Sequence, residues 1–349
     1  MPILTTCIGA YPKPDYVPIA DWFQVHYDAE DYDQKVTQRW SREKIEKARD
    51  LFDRATAEVI ADQIACGIDI PTDGEVRREN YVHYQCRHFT GFDFENLTEA
   101  VMRNGAYVAQ LPTIRAKVRA EDNQTLVRDW QVAEAAAGRP VKITLPGPMT
   151  ISDTTADVFY NDPAALARDL ADALNTQVRA LAEAGCRFIQ VDEPIFARKP
   201  GEALDYGVET LERCFHGIPA EVTRVVHMCC GYPNNLDDDD YPKADPGAYL
   251  QIARAVDGVT DQISIEDAHR HNPVTLFDSF ARSTMIVGFV TVASSRVEPV
   301  EEIRARMTEV LEHLPPDHLI AAPDCGLGFL GRDLAMKKLT NLCEAARSV

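Results

Sequence analysis

From residue 141 onwards the chain repeats one pattern, in which a short apolar run is followed by a longer stretch of helical periodicity. Short apolar runs are typical of buried strands, and apolar residues every three or four positions are typical of helices. Strands that alternate with helices in this way form a parallel sheet. We predict strands at 141–148, 187–194, 224–231, 262–266, 285–292 and 319–326. We predict helices at 161–185, 202–216, 246–256, 273–282, 299–313 and 331–347.

The first 75 residues contain two more units of this kind. A short strand begins at Thr5 and runs into a loop rich in proline and glycine. Residues 20–40 are aromatic and acidic, and we interpret them as a loop or lid. A helix is predicted from about Arg42 to Cys66, where a glycine ends it. A second strand is predicted at 68–75, with acidic residues at its carboxyl end.

Residues 76–140 interrupt this rhythm, and we interpret them as an insertion after the second strand. The alternation from Val101 to Ala120 around Asn104-Gly105 predicts a β-hairpin. This dipeptide favours the tight turn that joins two antiparallel strands. We expect the insertion to hold a helix, this hairpin and a loop.

The strands add up to about eight, and eight consecutive βα units close into a (β/α)8 barrel, the TIM-barrel fold. Polar clusters follow the carboxyl ends of these strands, which is the face where such barrels place their chemistry. The clusters are Asp73 and Glu75, Asp192 and Glu193, His227 and Cys229, Glu266, and Asp324 and Cys325. A doubly wound open sheet is the alternative, but no G-x-G-x-x-G motif follows the first strand. We therefore predict a single TIM-barrel domain over residues 1–349.

The composition narrows the classes of partner. The chain has 349 residues, 45% of them hydrophobic, and a formal net charge of −19. Nucleic acid and anionic membranes attract basic proteins, so we expect neither as a partner. No apolar run approaches the ~20 residues of a membrane span, and the N-terminus does not resemble a signal peptide. The nine cysteines follow no secreted disulfide spacing, so we expect a cytoplasmic protein with free or metal-bound thiols.

The segment 224–231 combines an apolar strand with metal-binding side chains. His227 and Cys229 share one face of this strand, because side chains alternate with a period of two. Glu266 and Cys325 each end a strand of their own, so all four side chains would meet at one face of the barrel. Taken alone, His-x-Cys also fits a buried histidine beside a buried thiol. With Glu266 and Cys325 in equivalent places, we predict a tetrahedral zinc site.

Seven segments, in family order, resemble the catalytic C-terminal barrel of the cobalamin-independent methionine synthase family. They cover nearly the whole chain, and together they are far more specific than any one of them. The segments are Thr6–Pro12, Asp73–Arg78, Leu145–Thr150, Gln190–Pro194, His227–Cys229, Ile263–Glu266 and Pro323–Leu327. The long members of the family carry a second, N-terminal barrel, so this chain is similar to the short, single-barrel members.

The resemblance implies zinc bound by the four residues of the predicted metal site. It also implies that Glu75 and Asp192 are catalytic residues that hold the amino group of homocysteine, with Ile8 and Ala10 as further substrate-binding positions. The implied reaction is methyl transfer to the thiol of homocysteine, which gives methionine. The alternative for the acidic pair is a structural ion pair with Arg77, Arg78 or Lys142.

Three positions depart from the family pattern. Ala293 stands where the family has a histidine thought to donate a proton to the leaving group. Thr154 stands where it has a tryptophan that stacks on the folate ring, and Ala10 replaces a serine. The first two departures concern the methyl donor, so the thiol acceptor is better supported than the donor. The donor is left open between a methyl-folate, a methyl-corrinoid carried by a partner protein, and another methylated compound.

Two other functions fit part of the pattern. The first is a zinc-dependent alkyltransferase that adds a thiol cofactor to an epoxide-like electrophile. Arg77, Arg78 and Arg296 could bind a sulfonate on such a thiol, but Glu75 and Asp192 argue against it. The second is a catalytically silent thiol- or metal-binding protein. In the methyltransferase and in the alkyltransferase alike, the expected role of zinc is to remove the thiol proton and leave a nucleophilic thiolate.

Overall fold

A computed structural model of the chain describes residues 2–19, 47–102, 107–231, 236–238 and 243–349. Three of the predicted features lie outside these ranges: the lid at 20–40, the first residues of the helix predicted from Arg42, and the turn at Asn104-Gly105. None of the helices in the described ranges is both long enough and apolar enough to cross a membrane.

The described elements follow the order that the sequence predicts. The strands are β1 (Leu4–Thr5), β2 (Phe89–Met102), β3 (Tyr107–Ala120), β4 (Lys142–Pro146), β5 (Ala156–Asp157), β6 (Phe188–Asp192), β7 (Thr223–Met228), β8 (Gln262–Ile265), β9 (Thr284–Val290) and β10 (Leu319–Pro323). The α-helices are α1 (Arg49–Cys66), α2 (Tyr81–Cys86), α3 (Thr125–Ala137), α4 (Pro148–Asp153), α5 (Pro163–Ala184), α6 (Pro194–Arg198), α7 (Pro200–Glu202), α8 (Val208–Cys214), α9 (Ala248–Val256), α10 (Val300–Leu311) and α11 (Arg332–Ser348). A π-helical stretch, Ala203–Gly207, joins α7 to α8, and 3₁₀ helices cover Val274–Ser279 and Pro316–His318.

Seven parallel strands form one curled sheet in the order β1-β10-β9-β8-β7-β6-β4. The segment after α1 lies between the two ends of this sheet, where Ile70 bridges to Thr6 and Thr72 bridges to Lys142, both in parallel orientation. The backbone N–H of Ile70 donates to Thr5 O at 3.0 Å, and that of Lys142 donates to Pro71 O at 2.9 Å. These contacts close the sheet, and the predicted (β/α)8 fold is confirmed.

The second strand is much shorter than the predicted run of 68–75. It makes only the two bridges at Ile70 and Thr72. The proline between them has no N–H to donate to a neighbouring strand. The backbone then turns sharply, with φ of 67° at Gly74 and 54° at Glu75. Glu75 is thereby carried into the mouth of the barrel.

The segment that the sequence marks as an insertion contains a long antiparallel hairpin. β2 and β3 pair over most of their length, with register shifts between Thr90 and Phe92 and between Asp93 and Thr98. The first strand of this hairpin begins at Phe89, well before the predicted alternation at Val101, and α3 follows the hairpin at Thr125–Ala137. α3 packs against α1 and α5, so it belongs to the outer layer of barrel helices. A second difference is the helix predicted at 273–282, which is a short 3₁₀ helix at Val274–Ser279.

The interior of the barrel is apolar on one side and polar on the other. Ile8, Val225, Ile286, Ile320 and Ala322 form a small buried cluster, separate from the large core between strands and helices. On β4 and β6 the odd-numbered residues 143, 145, 189 and 191 pack in that large core. Because side chains alternate along a strand, the residues between them point into the barrel. The interior beside β4 and β6 is therefore polar, and it leads up to the carboxyl-end face.

Candidate metal centre and acidic pocket

The carboxyl ends of β7 and β10 bring three metal-binding side chains together. His227 lies on β7, Cys229 directly follows that strand, and Cys325 lies beyond the end of β10. One ligand atom from each of the three lies within 4.8 Å of the others. His227 Nε2 is 3.2 Å from Cys325 Sγ. Residues almost 100 positions apart in the chain therefore meet where the strand pattern predicts.

This donor set suits zinc. Zinc binds one imidazole nitrogen and two cysteine sulfurs readily, with bond lengths of about 2.0–2.1 Å to nitrogen and 2.3 Å to sulfur. In a tetrahedral shell, two such ligand atoms are about 3.5 Å apart. The observed separation of 3.2 Å between the His227 nitrogen and the Cys325 sulfur is close to this value. The residue types and the close approach of their ligand atoms therefore fit such an ion.

A hydrogen bond links the two cysteines and shifts their pKa values in opposite directions. A hydrogen bond from Cys325 lowers the pKa of Cys229 well below its usual value, against the effect of burial and with help from His227. The same bond raises the pKa of Cys325, and burial and the charge of Cys229 act in the same direction. The pair therefore favours one thiolate and one thiol. A cation that binds both sulfurs must displace the remaining proton.

Ser264 sets the orientation of the His227 ring. Its Oγ lies 2.9 Å from His227 Nδ1, and both side chains are buried. The two residues are opposite each other on β7 and β8. With Nδ1 engaged by Ser264, the other ring nitrogen is the one that faces Cys325. Sequence analysis did not single out Ser264, although it lies two residues before Glu266 on the same face of the strand.

Glu266 lies outside the set of three, although it is buried beside it. Burial and the charge of Cys229 raise the pKa of its carboxyl well above the usual value. Asp324 fixes the segment that follows Glu266. Its carboxylate accepts hydrogen bonds from the backbone N–H groups of Asp267 and Ala268, each at 2.9 Å, and of His269, at 2.8 Å. Asp324 thus holds the turn on which Glu266 is mounted.

The acidic pair lies on the polar side of the same face. Glu75 is 7% exposed, and its Oε1 accepts a hydrogen bond of 2.8 Å from the hydroxyl of Thr144. Arg78 contacts both Thr144, at 3.0 Å, and Glu75, at 3.5 Å. Asp192 is also 7% exposed, and it accepts a hydrogen bond of 2.7 Å from Gln190. Arg78 is one of the structural partners that the sequence left open for this pair.

Both carboxylates of the acidic pair are costly to ionise in their present surroundings. Burial and the charge of Glu75 raise the pKa of Asp192 well above its usual value. Burial also raises the pKa of Glu75, while Arg78 lowers it. Two buried carboxylates that raise each other's cost of ionisation favour a further cation between them. An ammonium group is a cation of suitable size and hydrogen-bonding capacity.

The loop after β1 forms part of the wall beside these groups. The side chain of Ile8 lies in the apolar interior of the barrel, and its carbonyl accepts a hydrogen bond of 2.8 Å from Gln190. The carbonyl of Ala10 accepts a hydrogen bond of 2.7 Å from the N–H of Leu327, two residues after Cys325. The two positions therefore connect the acidic pair to the metal-binding segment through the backbone.

Tyr81 is a candidate site residue that sequence analysis missed. It is the first residue of α2, whose N-terminus is capped by the side chain of Asn80. Its ring is partly buried against the core. Burial raises the pKa of its phenol well above the usual value, and four further groups raise it as well: Asp192, Cys229, Cys325 and Glu75. The pKa of its phenol is thus affected by both the acidic pair and the cysteines. Only its place just after the Asp73–Arg78 motif could have indicated this.

Thr154 and Ala293 are the two positions that depart from the family pattern where the methyl donor is concerned. Thr154 ends α4, and its hydroxyl donates to the carbonyl of Thr150 at 2.7 Å. The carbonyl of Ala293 accepts a hydrogen bond of 2.9 Å from the N–H of Asp237. Neither residue offers a ring to a ligand.

Comparison with known proteins gives a consistent result. The family described as "Cobalamin-independent synthase, Catalytic domain" matches residues 3–348. A methionine synthase from Saccharolobus solfataricus is 30% identical, over 100% of this chain and 96% of that protein. A methionine synthase from Sulfolobus acidocaldarius is 30% identical, over 97% of this chain and 90% of that protein. The solved structure of a B12-independent methionine synthase from Shewanella sp. W3-18-1, in complex with selenomethionine, has a TM-score of 0.82 and 27% identity, over 99% of this chain and 97% of that chain. The chain belongs to the cobalamin-independent synthase family and spans its catalytic domain.

Proposed function

We propose that the protein is a zinc-dependent methyltransferase that methylates the thiol of homocysteine and forms methionine. One observation carries the proposal: the cluster of His227, Cys229 and Cys325 and the buried pair Glu75 and Asp192 lie at the same carboxyl-end face of the barrel. A sulfur-rich metal centre beside an acidic pair suits a small thiol that also carries an amino group. The methionine synthases of similar sequence support the same substrate.

His227, Cys229 and Cys325 would hold the zinc, and we propose Glu266 as the fourth ligand. Bound zinc would lower the pKa of the substrate thiol so that the nucleophilic thiolate predominates at neutral pH. The protein itself supplies the orientation of the ligands. Ser264 fixes the ring of His227, and Asp324 fixes the turn that carries Glu266.

Glu75 and Asp192 would bind and orient the amino group of the substrate. Thr144 holds the carboxylate of Glu75, and Gln190 holds that of Asp192. With its amino group fixed at one side of the pocket, the substrate is oriented with its thiol free to face the cysteines. Ile8 and Ala10 would line the wall between the two ends. This arrangement gives both carboxylates a cation partner and removes the cost of their mutual repulsion.

The methyl donor is proposed only as a class. With threonine at 154 and alanine at 293, the chain offers neither an aromatic ring nor an imidazole at those two positions. A methyl-folate would have to bind without these contacts. A methyl-corrinoid presented by a partner protein, or another methylated compound, fits equally well.

The alkyltransferase alternative is weaker. A sulfonate-bearing thiol cofactor needs free basic groups, and three arginines were the candidates. Each already has carboxylate partners among the described residues. Arg77 pairs with Asp53 and Asp129, Arg78 with Glu75 and Asp73, and Arg296 with Glu302.

The test is the zinc content of the protein together with the zinc-edge X-ray absorption spectrum, recorded with and without homocysteine. We expect one zinc per chain, with two sulfur neighbours alone and three after homocysteine is added. A zinc shell that does not respond to homocysteine would exclude it as the activated thiol. Protein that takes up no zinc under any condition would contradict the metal assignment.

A further inference from the structure

Lys142 is buried inside the barrel, and its ammonium group has no hydrogen-bond partner in the part of the chain that the structure describes. The residue is 1% exposed. Burying an unpaired ammonium group costs several kcal/mol, by order of magnitude. Lys338 shows the usual solution: it is equally buried, but its Nζ lies 2.9 and 3.1 Å from the two carboxylate oxygens of Glu298. Lys142 therefore has no stabilising role that its contacts explain.

Gln190 has a buried acceptor atom that lacks a donor among the described residues. Its Nε2 donates to the carbonyl of Ile8 at 2.8 Å and to Oδ1 of Asp192 at 2.7 Å. Both of these neighbours are acceptors, so the amide nitrogen must face them. The amide oxygen is then turned towards the interior of the barrel, where no group among the described residues donates to it.

The two unpartnered atoms come from neighbouring strands. Gln190 is opposite Thr144 in the pairing of β4 with β6, and Lys142 is one inward-facing position below Thr144. Residues diagonal to each other on adjacent strands are within reach when one side chain is long. Burial lowers the pKa of Lys142 to about 8, and the charge of Asp192 opposes this effect. Asp192 is thus a carboxylate whose charge acts on Lys142 inside the barrel.

We propose that Lys142 is a positioning residue for substrate binding, acting through Gln190 on Asp192. Its ammonium group acts on Gln190 Oε1 through one buried water, and it holds the amide in the orientation that Asp192 needs. Without the charge, the amide oxygen loses its donor, and the hydrogen bond from the amide nitrogen to the carboxylate of Asp192 is held less firmly. The inference rests on the proposed function, because it gives Asp192 the task of binding the substrate's amino group. The buried charge of Lys142 destabilises the folded protein, but it fixes the orientation of the Asp192 carboxylate.

The first experiment separates a positioning role from a structural one. Lys142→Met and Lys338→Met each replace a buried lysine with an apolar residue of similar length. We expect Lys142→Met to be at least as stable to urea as the wild type, since an unpaired buried charge is removed. Lys338→Met should be clearly less stable, because Glu298 loses its partner. If Lys142→Met is destabilised as much as Lys338→Met, Lys142 is structural and the inference is wrong.

The second experiment measures binding to the zinc-loaded full chain by calorimetry. The probes are L-homocysteine and 4-mercaptobutanoate, which lacks the amino group. We expect Lys142→Met to bind homocysteine about tenfold more weakly, the size of one lost hydrogen bond to a charged group, with unchanged affinity for 4-mercaptobutanoate. Gln190→Met should show the same selective loss. The double variant should lose no more than either single variant, because the two residues act as one unit.

The outcomes distinguish this inference from the proposed function. If the wild type prefers homocysteine and Lys142→Met keeps the full preference, only the inference is overturned. If the losses of the two single variants multiply in the double variant, the residues act independently and the relay through Gln190 is wrong. If the wild type itself shows no preference for the thiol with an amino group, the role of the acidic pair in the proposed function fails, and this inference fails with it.

Discussion

Ser264→Ala should weaken zinc binding although Ser264 is not a ligand. Its hydroxyl lies 2.9 Å from His227 Nδ1 in a buried position between β7 and β8. A histidine that binds a metal through one nitrogen usually fixes its ring by a hydrogen bond at the other. In the alanine variant the ring of His227 loses that constraint, and Nδ1 is left without a partner.

The magnitude can be worked out in two ways. Leaving a buried polar group without its partner costs about 1–3 kcal/mol. Loss of a partner that orients a metal ligand typically lowers metal affinity about 10- to 100-fold, which corresponds to roughly 1.4–2.7 kcal/mol. The two ranges agree. We expect the dissociation constant for zinc to rise about 10- to 100-fold in Ser264→Ala.

The assay is competition for zinc with a chromogenic chelator at fixed pH, and Ser283→Ala is the matched control. Ser283 is equally buried; its hydroxyl donates to Thr260 O at 2.7 Å and accepts from Gly258 N at 2.8 Å, at the amino end of β9 and far from the site face. The control should lose stability but keep its zinc affinity. The reasoning is refuted if Ser264→Ala binds zinc as tightly as the wild type, or if both variants lose the same affinity.

Three further predictions concern the same face of the barrel. Cys229→Ser or Cys325→Ser should lose metal and activity together, and elemental analysis that finds stoichiometric zinc in either variant would contradict the site. Zinc affinity should rise with pH, by about tenfold per unit for each displaced proton, because the raised pKa of Cys325 keeps its thiol protonated and zinc must displace that proton. Chelator competition over a series of pH values checks this, and a constant affinity would speak against Cys325 as a ligand. Glu75→Gln should raise the KM for homocysteine about 10- to 100-fold, since it removes one charge facing the amino group; steady-state kinetics that show an unchanged KM would exclude Glu75 from that role.

The barrel could be predicted because its strands are buried on both sides. A strand such as Lys142–Pro146 or Leu319–Pro323 is buried at every position. Such strands stand out in the sequence as short apolar runs between helices. The errors fall where local chemistry weakens the pattern. Pro71 interrupts the second strand, and Val274–Ser279 forms a short 3₁₀ helix where a longer helix was predicted. The single-domain organisation over residues 1–349 stays a prediction.

The metal-binding residues could be found for a related reason. Parallel strands of a barrel all end at one face. Strand-end residues such as His227 and Cys325 are therefore expected to lie near each other even when the pairing of the strands is unknown. Ser264, Thr144 and Tyr81 could not be found in this way. The first two act across a specific pair of neighbouring strands, and the third acts from the start of a short helix. Their roles depend on register, which the spacing of residues along one strand does not contain.

Two glycines show what register adds to the site. A Cβ at Gly9 would lie 2.6 Å from Oε1 of Glu75, and a Cβ at Gly288 would collide with Oδ1 of Asp324. In the sequence both are simply glycines within or just after apolar strands. In the fold each provides the space into which an acid of the site fits, so any larger residue must displace that acid. Residue types at strand ends thus indicate which chemistry the barrel carries. Small residues and hydroxyl groups on the adjacent strands determine the positions of these groups. They can be identified only when the pairing of the strands is known.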